Sequence, residues 1–242
     1  MEGSASMITI KNDGIIEPFG LEVIRDSNFQ LISPTRDISE SPNEFDGEVD
    51  FGTELKNGQW TIVAVTNDGL SPIQKMQTRR TLAGQLNNLR NNGDYLSFES
   101  DSGRRIRVRL QGRAEVEEYP SWLKIIITLK TNPYWESIDE KQQIGSGTIT
   151  NEGTLETPLV IEAKGIVTDP EIIVGGQILK YTGILGASDT LVINSEFKTV
   201  TFNGINALHD YEGIFPVLPI GDTTVIGADG GQTIFKWREW FL

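Results

Sequence analysis

Apolar and polar residues alternate in short runs along most of the chain, with the period of two that belongs to strands half-buried on a sheet. "MITIKN" and "LEVIRD", separated by Gly14, Pro18 and Gly20, predict two strands joined by a turn, and "WTIVAVT" (60–66) predicts another. Strands resume with "DYLSFES", "RRIRVRLQGRAEVEE" and "SWLKIIITLKT". In "RRIRVRL", Ile106, Val108 and Leu110 alternate with Arg105, Arg107 and Arg109, which sets three arginines on one solvated or subunit-facing side of a sheet. One stretch keeps a helical period. Ser71 suits an N-cap and Pro72 the first helical position. Ile73, Met76, Leu82, Ala83, Leu86 and Leu89 gather on one face, and Asn91, Asn92 and Gly93 supply the stop.

At "TNPYWESIDEKQQIGSG" (131–147), Pro133 breaks the pattern and the chain turns polar and Gly-rich, so a domain boundary is expected there. Beyond it, "GTITNEGTLETPLVIEAKG", "PEIIVGG", "ILKYTGIL", "DTLVINSEFKTVTFNG" and "DTTVIGADGG" are short strands at the spacing of a β-sandwich. "LVINSEFKTVTFNG" is a hairpin, with turn chemistry at Asn194 and Ser195. The content of 25 Gly and 10 Pro against 3 Met agrees with a mainly β chain of frequent turns. The stretch from Asn28 to Glu54 stands apart: it holds seven acids, one base (Arg36) and two prolines, and reads as an extended excursion more than a core element.

Charge and residue usage narrow the function classes. The absence of Cys removes disulfides, thiolate metal sites and cysteine nucleophiles, and is compatible with folding in a reducing cytoplasm. The single histidine, His209, has neighbours Leu208, Asp210 and Tyr211 in no ligand spacing, and reads as a turn residue. A net charge of −13 argues against nucleic-acid binding and suits a surface that repels DNA. No apolar run approaches the ~20 residues of a membrane span. The small polar residues 1–6 read as an appended leader, with Met7 as the start.

Candidate chemistry is thin. Glu115, Glu117 and Glu118 offer carboxylates for a glycoside-hydrolase pair, yet acidic clusters in so acidic a chain read first as solvated surface. "DGEVDFGTE" (46–54) lacks the spacing and flanking helices of a calcium loop, and "GASDT" (186–190) is no nucleophile elbow. No catalytic, cofactor-binding or metal-binding residue is assigned, and the protein is expected not to be an enzyme. An alternative reading is a carbohydrate-binding adhesin module acting through residues 145–230, with Tyr181 and Tyr211 as stacking rings.

Taken in order, the acidic loop leading into "FDGEVDFGTEL", "WTIVAV" before a helix, "LKTNPYWES", then "TNEGTLETPLVIEAKG", "LVINSEFKTVTFNG" and a closing "WREWFL" resemble the distal tail proteins (Dit) of long-tailed, non-contractile bacteriophages. The resemblance covers the chain from Met7 onward. It implies an N-terminal β-sandwich with one α-helix and an extended β-hairpin, and a C-terminal galectin-like or carbohydrate-module-like β-sandwich. It also implies a homo-hexameric ring at the distal end of the tail, the baseplate hub of the virion. That ring meets the major tail (tube) protein on one face and the tail-associated tip protein on the other, can carry receptor-binding proteins, passes DNA without specific binding, and has no membrane role.

On this reading the arm reaching a neighbouring copy comprises Glu40, Glu44, Phe45, Asp46, Glu48, Asp50 and Phe51. The final segment "TIFKWREWFL" carries Phe235, Trp237 and Phe241 on one face, Glu239 interrupting, and comes after a Gly230-Gly231 hinge. The resemblance implies that it returns to the first domain, giving domains of 7–137 plus 232–242, and 138–231.

Overall fold

The computed structural model describes residues 8–11, 15–17, 19–24, 27–29, 35–40, 48–54 and 57–242, of which 29, 35–40 and 48–54 are described by their backbone alone. The expected leader, 1–6, lies outside them. The architecture is mainly β, with one α-helix among the described residues. The chain divides into two compact units, the first running to Trp135 and including Leu242, the second Glu136–Phe241.

In the first unit, β1 (Ile8–Ile10), β2 (Ile15–Glu17) and β3 (Leu21–Val23) form an antiparallel meander. After the two-residue β4 (Asn28–Phe29), β5 (Thr35–Glu40) and β6 (Glu48–Glu54) pair with each other as a two-stranded sheet of their own. β7 (Gln59–Val65) pairs with β3 and β4 and leads to α1 (Pro72–Asn92). β8 (Asp94–Phe98) lies parallel to β1 and antiparallel to β9 (Asp101–Leu110). β10 (Glu115–Glu118) forms a hairpin with β11 (Leu123–Thr131).

β11 gives one edge to β7 and divides the other between β10 at its start and β9 at its end. The pairing β7-β3-β2-β1-β8-β9-β11 therefore returns to β7, and the expected sandwich of this unit takes the form of a sheet closed on itself. Strict alternation makes this possible. Leu123, Ile125, Ile127 and Leu129 of β11, and Ile106, Val108 and Leu110 of β9, are buried in one core with Ile8, Leu21, Trp60 and Leu96. Trp60, Phe98 and Trp135 meet with ring centroids 5.6 to 6.1 Å apart.

α1 contributes Leu82, Leu86 and Leu89 to that core. Its ends carry the expected signals. The Ser71 hydroxyl accepts from the Gln74 amide at 3.3 Å, the Gln74 side chain accepts from the Ser71 amide at 2.9 Å, and Gly93 (φ 69°) donates its amide to the Leu89 carbonyl at 3.1 Å. The buried face differs from the expected one. Ile73 is 66% and Met76 47% exposed, and Ala83 is exposed too. The reason is rotational: a stripe through Leu82, Leu86 and Leu89 extends back to Lys75, and puts Ile73 and Met76 on the far side. Lys75 is buried, and its Nζ donates to the carbonyls of Tyr119 (2.5 Å) and Pro120 (2.8 Å) and lies 3.4 Å from the Glu118 carboxylate. It ties the helix to the β10–β11 turn, where the Tyr119 and Trp122 rings stack 3.9 Å apart.

The second unit is a two-sheet sandwich. One sheet is ordered Lys141–Ile144, Gln232–Trp237, Val160–Lys164, Thr190–Asn194, Thr199–Phe202, Ile205–Asn206. The other is ordered Gly147–Asn151, Gly221–Ile226, Glu171–Val174, Gln177–Tyr181, Tyr211–Glu212. Ile161, Ile193 and Phe235 from the first and Ile172, Leu179 and Val225 from the second share one core. On the strand Val160–Lys164, burial by itself would raise the Glu162 carboxyl, but hydrogen bonds from Lys236 and from Lys164 (2.9 Å) outweigh it and hold Glu162 below its ordinary value.

Both lysine-centred contacts can be tested. Lys75→Met takes the lysine donor from the Tyr119 and Pro120 carbonyls and should lower the stability of the first unit by about 2 kcal/mol, measured by urea denaturation. Because the Glu162 carboxyl is depressed in the folded state, its contribution is present above the unfolded glutamate value and is lost as pH falls through the folded one. Thermal melts of the second unit should therefore drop on acidification, and Glu162→Gln should flatten that drop.

Candidate functional site

Three surfaces hold the residues singled out from the sequence. The first is the β5–β6 hairpin. Glu40 ends β5, and Glu48, Asp50 and Phe51 lie in β6; Glu44, Phe45 and Asp46 fall outside the described residues. The register sets Ile38 opposite Asp50, Ser39 opposite Val49 and Glu40 opposite Glu48, with an irregularity between Arg36 and Ile38. The expected excursion is thus an antiparallel hairpin. The two runs that form it, "TRDISE" and "EVDFGTE", are too polar to announce themselves as strands by apolar alternation.

The second surface is the outward side of β9. Ile106, Val108 and Leu110 point inward as expected, so Arg105, Arg107 and Arg109 share the other side. The Arg105 guanidinium lies 3.8 Å from the centre of the Tyr95 ring. Register adds a cation that sequence spacing could not show: Lys130 of β11 stands directly opposite Arg109.

The third is the final segment, and here the expectation is corrected. Phe235 and Trp237 are buried in the core of the second unit, because Gln232–Trp237 is an inner strand of its six-stranded sheet, paired on both edges. Glu239 and the Trp240 backbone bond to residues of the same unit. Glu239, expected to interrupt an apolar face, is buried: its carboxylate accepts from Lys141 Nζ at 2.6 Å and from the Glu152 amide at 3.0 Å. The Trp240 carbonyl accepts the amides of Thr154 and Leu155, and a Cβ at Gly153 would meet that carbonyl at 2.4 Å. Phe241 is half-buried in the short strand Trp240–Phe241. Residues 232–241 therefore belong to the second unit, and not to the first as the expected boundaries had it. The alternation of "TIFKW" shows that one face is buried; it cannot show in which core.

The remaining candidates are dispersed. Tyr181 is 7% exposed, its ring 6.1 Å from that of Phe202. Tyr211 packs on Phe215 at 5.2 Å and donates its hydroxyl to the Ile214 carbonyl, and burial pushes that hydroxyl's pKa up to about 12. These rings are packing elements and form no open stacking platform. Glu115 and Glu117 are exposed on the edge strand β10, with Glu117 bonded to the Tyr119 hydroxyl and 3.4 Å from Lys124. His209 lies in a 3-10 turn with Nε2 3.0 Å from Asp210. Among the described residues no group of three or more His, Asp or Glu is arranged to hold a metal, and no helix is long and apolar enough to cross a membrane.

One further surface emerges only from the fold. On the outer face of the five-stranded sheet Ile173 stands opposite both Ile178 and Ile226, and the latter two are 49% and 43% exposed. "PEIIVGGQILKY" carries the alternation that makes the row, but cross-strand register alone lines it up.

Truncating the inner strand tests the corrected placement. Phe235→Ala should cost the second unit about 3 to 5 kcal/mol, read in the full chain as faster amide exchange in Val160–Lys164 and Lys141–Ile144.

No protein-family model matches the chain, and no curated protein matches it. Among solved structures it is similar to the crystal structure of the Dit protein of phage SPP1, described as a paradigm of the hub adsorption apparatus in phages infecting Gram-positive bacteria. The similarity has a TM-score of 0.75 at 15% identity and covers 98% of each chain. Two structures of the phage P2 baseplate in its activated conformation, with calcium and with strontium, match at TM-scores of 0.44 and 0.45 and 8% identity, over 89% of this chain and 90% of theirs. Across the 98% of it that is covered, this chain has the fold of the SPP1 Dit protein.

Proposed function

We propose that the protein is a structural hub of a phage tail tip, non-enzymatic, whose copies assemble into a ring between the tail tube and the host-recognition apparatus. The observation that carries this reading is the end-to-end fold correspondence, which spans both units and leaves neither chain with an unmatched domain. On this reading the ring is a homo-hexamer. One face meets the major tail protein and the other the tail-associated tip protein, and the second unit is available to receptor-binding proteins.

The physical features support the same role. A ring needs unlike surfaces on one copy to meet on the next, and the β5–β6 hairpin is an extended element forming a sheet of its own. A closed sheet gives each copy a rigid body from which such an arm can project. Double-stranded DNA must pass through without adhering, and a net charge of −13 supplies repulsion where acids line the passage.

Negative-stain microscopy of the purified protein, with and without its tail partners, tests the proposal. Six-fold rings with a central hole are expected. A protein that stays monomeric at micromolar concentration, and forms no ring when tail partners are added, would refute it.

A further inference from the structure

Between α1 and the β10–β11 hairpin, the first unit leaves part of its core uncovered. Val116 stands directly opposite Ile125, which is fully buried, so both side chains lie on the core side of the sheet; yet Val116 is 41% exposed. The opening is a slot of about 330 Å³ lined by Leu82, Leu86, Leu110 and Val116. Ala83 lines its helix side, and Met76, two turns earlier on the same face of α1, continues that apolar lip and is 47% exposed. Apolar side chains left open beside a core mark a surface for a partner to cover.

The rim of the slot carries one sign of charge. Arg79, Arg90 and Arg113 line it and, among the described residues, no acid does, although acids outnumber bases 34 to 21 in the chain. Arg79 lies 2.7 Å from the Glu118 carboxylate. Arg90 donates to the Gly112 carbonyl at 2.7 Å, a bond that leaves its charge uncompensated, and among the described residues neither Arg90 nor Arg113 meets a carboxylate. The free positive charge therefore lies at the Arg90–Arg113 end. Alternation along β10 turns Glu115 and Glu117 away from the side that carries Val116.

The helix itself narrows the choice of occupant. α1 holds Lys75, Arg79, Arg80 and Arg90 and no acid, so the same helix of a second copy would meet it with like charge. A small-molecule site encloses most of its ligand. This slot instead runs open beside the exposed Ala83 and Val116, as suits a segment whose own polypeptide supplies the outer cover. From Arg79 to Arg90 the helix rises about 16 Å, the length of about three turns of an opposing helix. Ala83, small and near the middle of that span, permits close approach of the two axes.

We infer that the slot between α1 and β10 docks an acidic amphipathic helix of a different polypeptide. Its apolar residues sit over Leu82, Leu86 and Val116, and its carboxylates face Arg90 and Arg113. The contact requires no second copy of this chain and so goes beyond the ring reading without resting on it.

Fluorescence anisotropy with the full-length protein tests the docking, using three capped synthetic peptides of one alanine-based helical design. The first carries leucines at i, i+3 and i+7 flanked by glutamates, the second has lysine for each glutamate, and the third has alanine for each leucine. The first should bind at least tenfold more tightly than either of the others, and added salt should weaken it. Arg113→Glu and Ala83→Glu, both at exposed positions, should each weaken that binding at least tenfold. Arg113→Glu should also strengthen binding of the lysine peptide.

If Ala83→Glu loses the folded circular-dichroism spectrum, Arg113→Glu carries the comparison alone. Equal affinity for the three peptides, no binding of any, or unchanged binding of the first to the Arg113→Glu protein would overturn the docking and leave the hub reading standing. Selective binding by a protein that never forms rings would overturn the hub reading and leave the docking. Sodium decanoate displacing the first peptide at equal concentration would give the slot to a fatty anion and overturn the helix as its occupant. Self-association of the unmodified protein that Ala83→Glu abolishes would overturn it in favour of a second copy.

Discussion

The first unit depends on one strand making three partners. β11 is paired along its whole length on one side and handed from β10 to β9 on the other. A sheet needs its open edges covered or closed, because unpaired amides and carbonyls invite pairing with another chain. Closure through β11 meets that need while burying the five alternate residues Leu123, Ile125, Ile127, Leu129 and Thr131. The consequence for β9 is strict: with Ile106, Val108 and Leu110 committed inward, its arginines have nowhere to go but outward. The cationic side is thus a by-product of the same register that makes the core.

Where closure ends, the acidic surface begins. β10 continues beyond the closed part of the sheet as an edge strand whose four residues, three of them glutamates, are all exposed, and charge on such an edge discourages stray pairing. The helix is secured there by Lys75, a cation placed among carbonyls as well as beside a carboxylate. The first unit therefore manages its exposed backbone by closure, by charge and by a buried lysine.

Much of this is legible from residue order and some is not. The strands with strict alternation, the helix with its capping residues and the break near Pro133 are local features, and local chemistry decides them. Ser71, Gln74 and Gly93 do in the fold what their types predict. The helix face departs from expectation at Ile73 and Met76 because apolar content is only a proxy for burial, and the neighbouring Lys75 has carbonyl partners that make it the better occupant. The destination of Phe235 and Trp237 departs for a different reason. An alternating strand names its buried face but not its neighbours, and the neighbours here are far apart in the chain, as Phe235 is from Ile161. Register pairs such as Arg109 with Lys130 and Glu40 with Glu48 are likewise invisible until strands are aligned.

The position of Gln232–Trp237 between two earlier strands has a consequence for synthesis. Lys141–Ile144 and Val160–Lys164 both hydrogen-bond to it, and they emerge from the ribosome well before it does. Until that late strand arrives, both present open edges and an unfilled space where Phe235 belongs. The first unit's strands and helix up to Thr131 are complete by then and can fold during translation, whereas the second must wait. A product released early would carry a folded first unit on an open second one, exposed to chaperones and proteases. The late strand thus sets when the second unit's core can close.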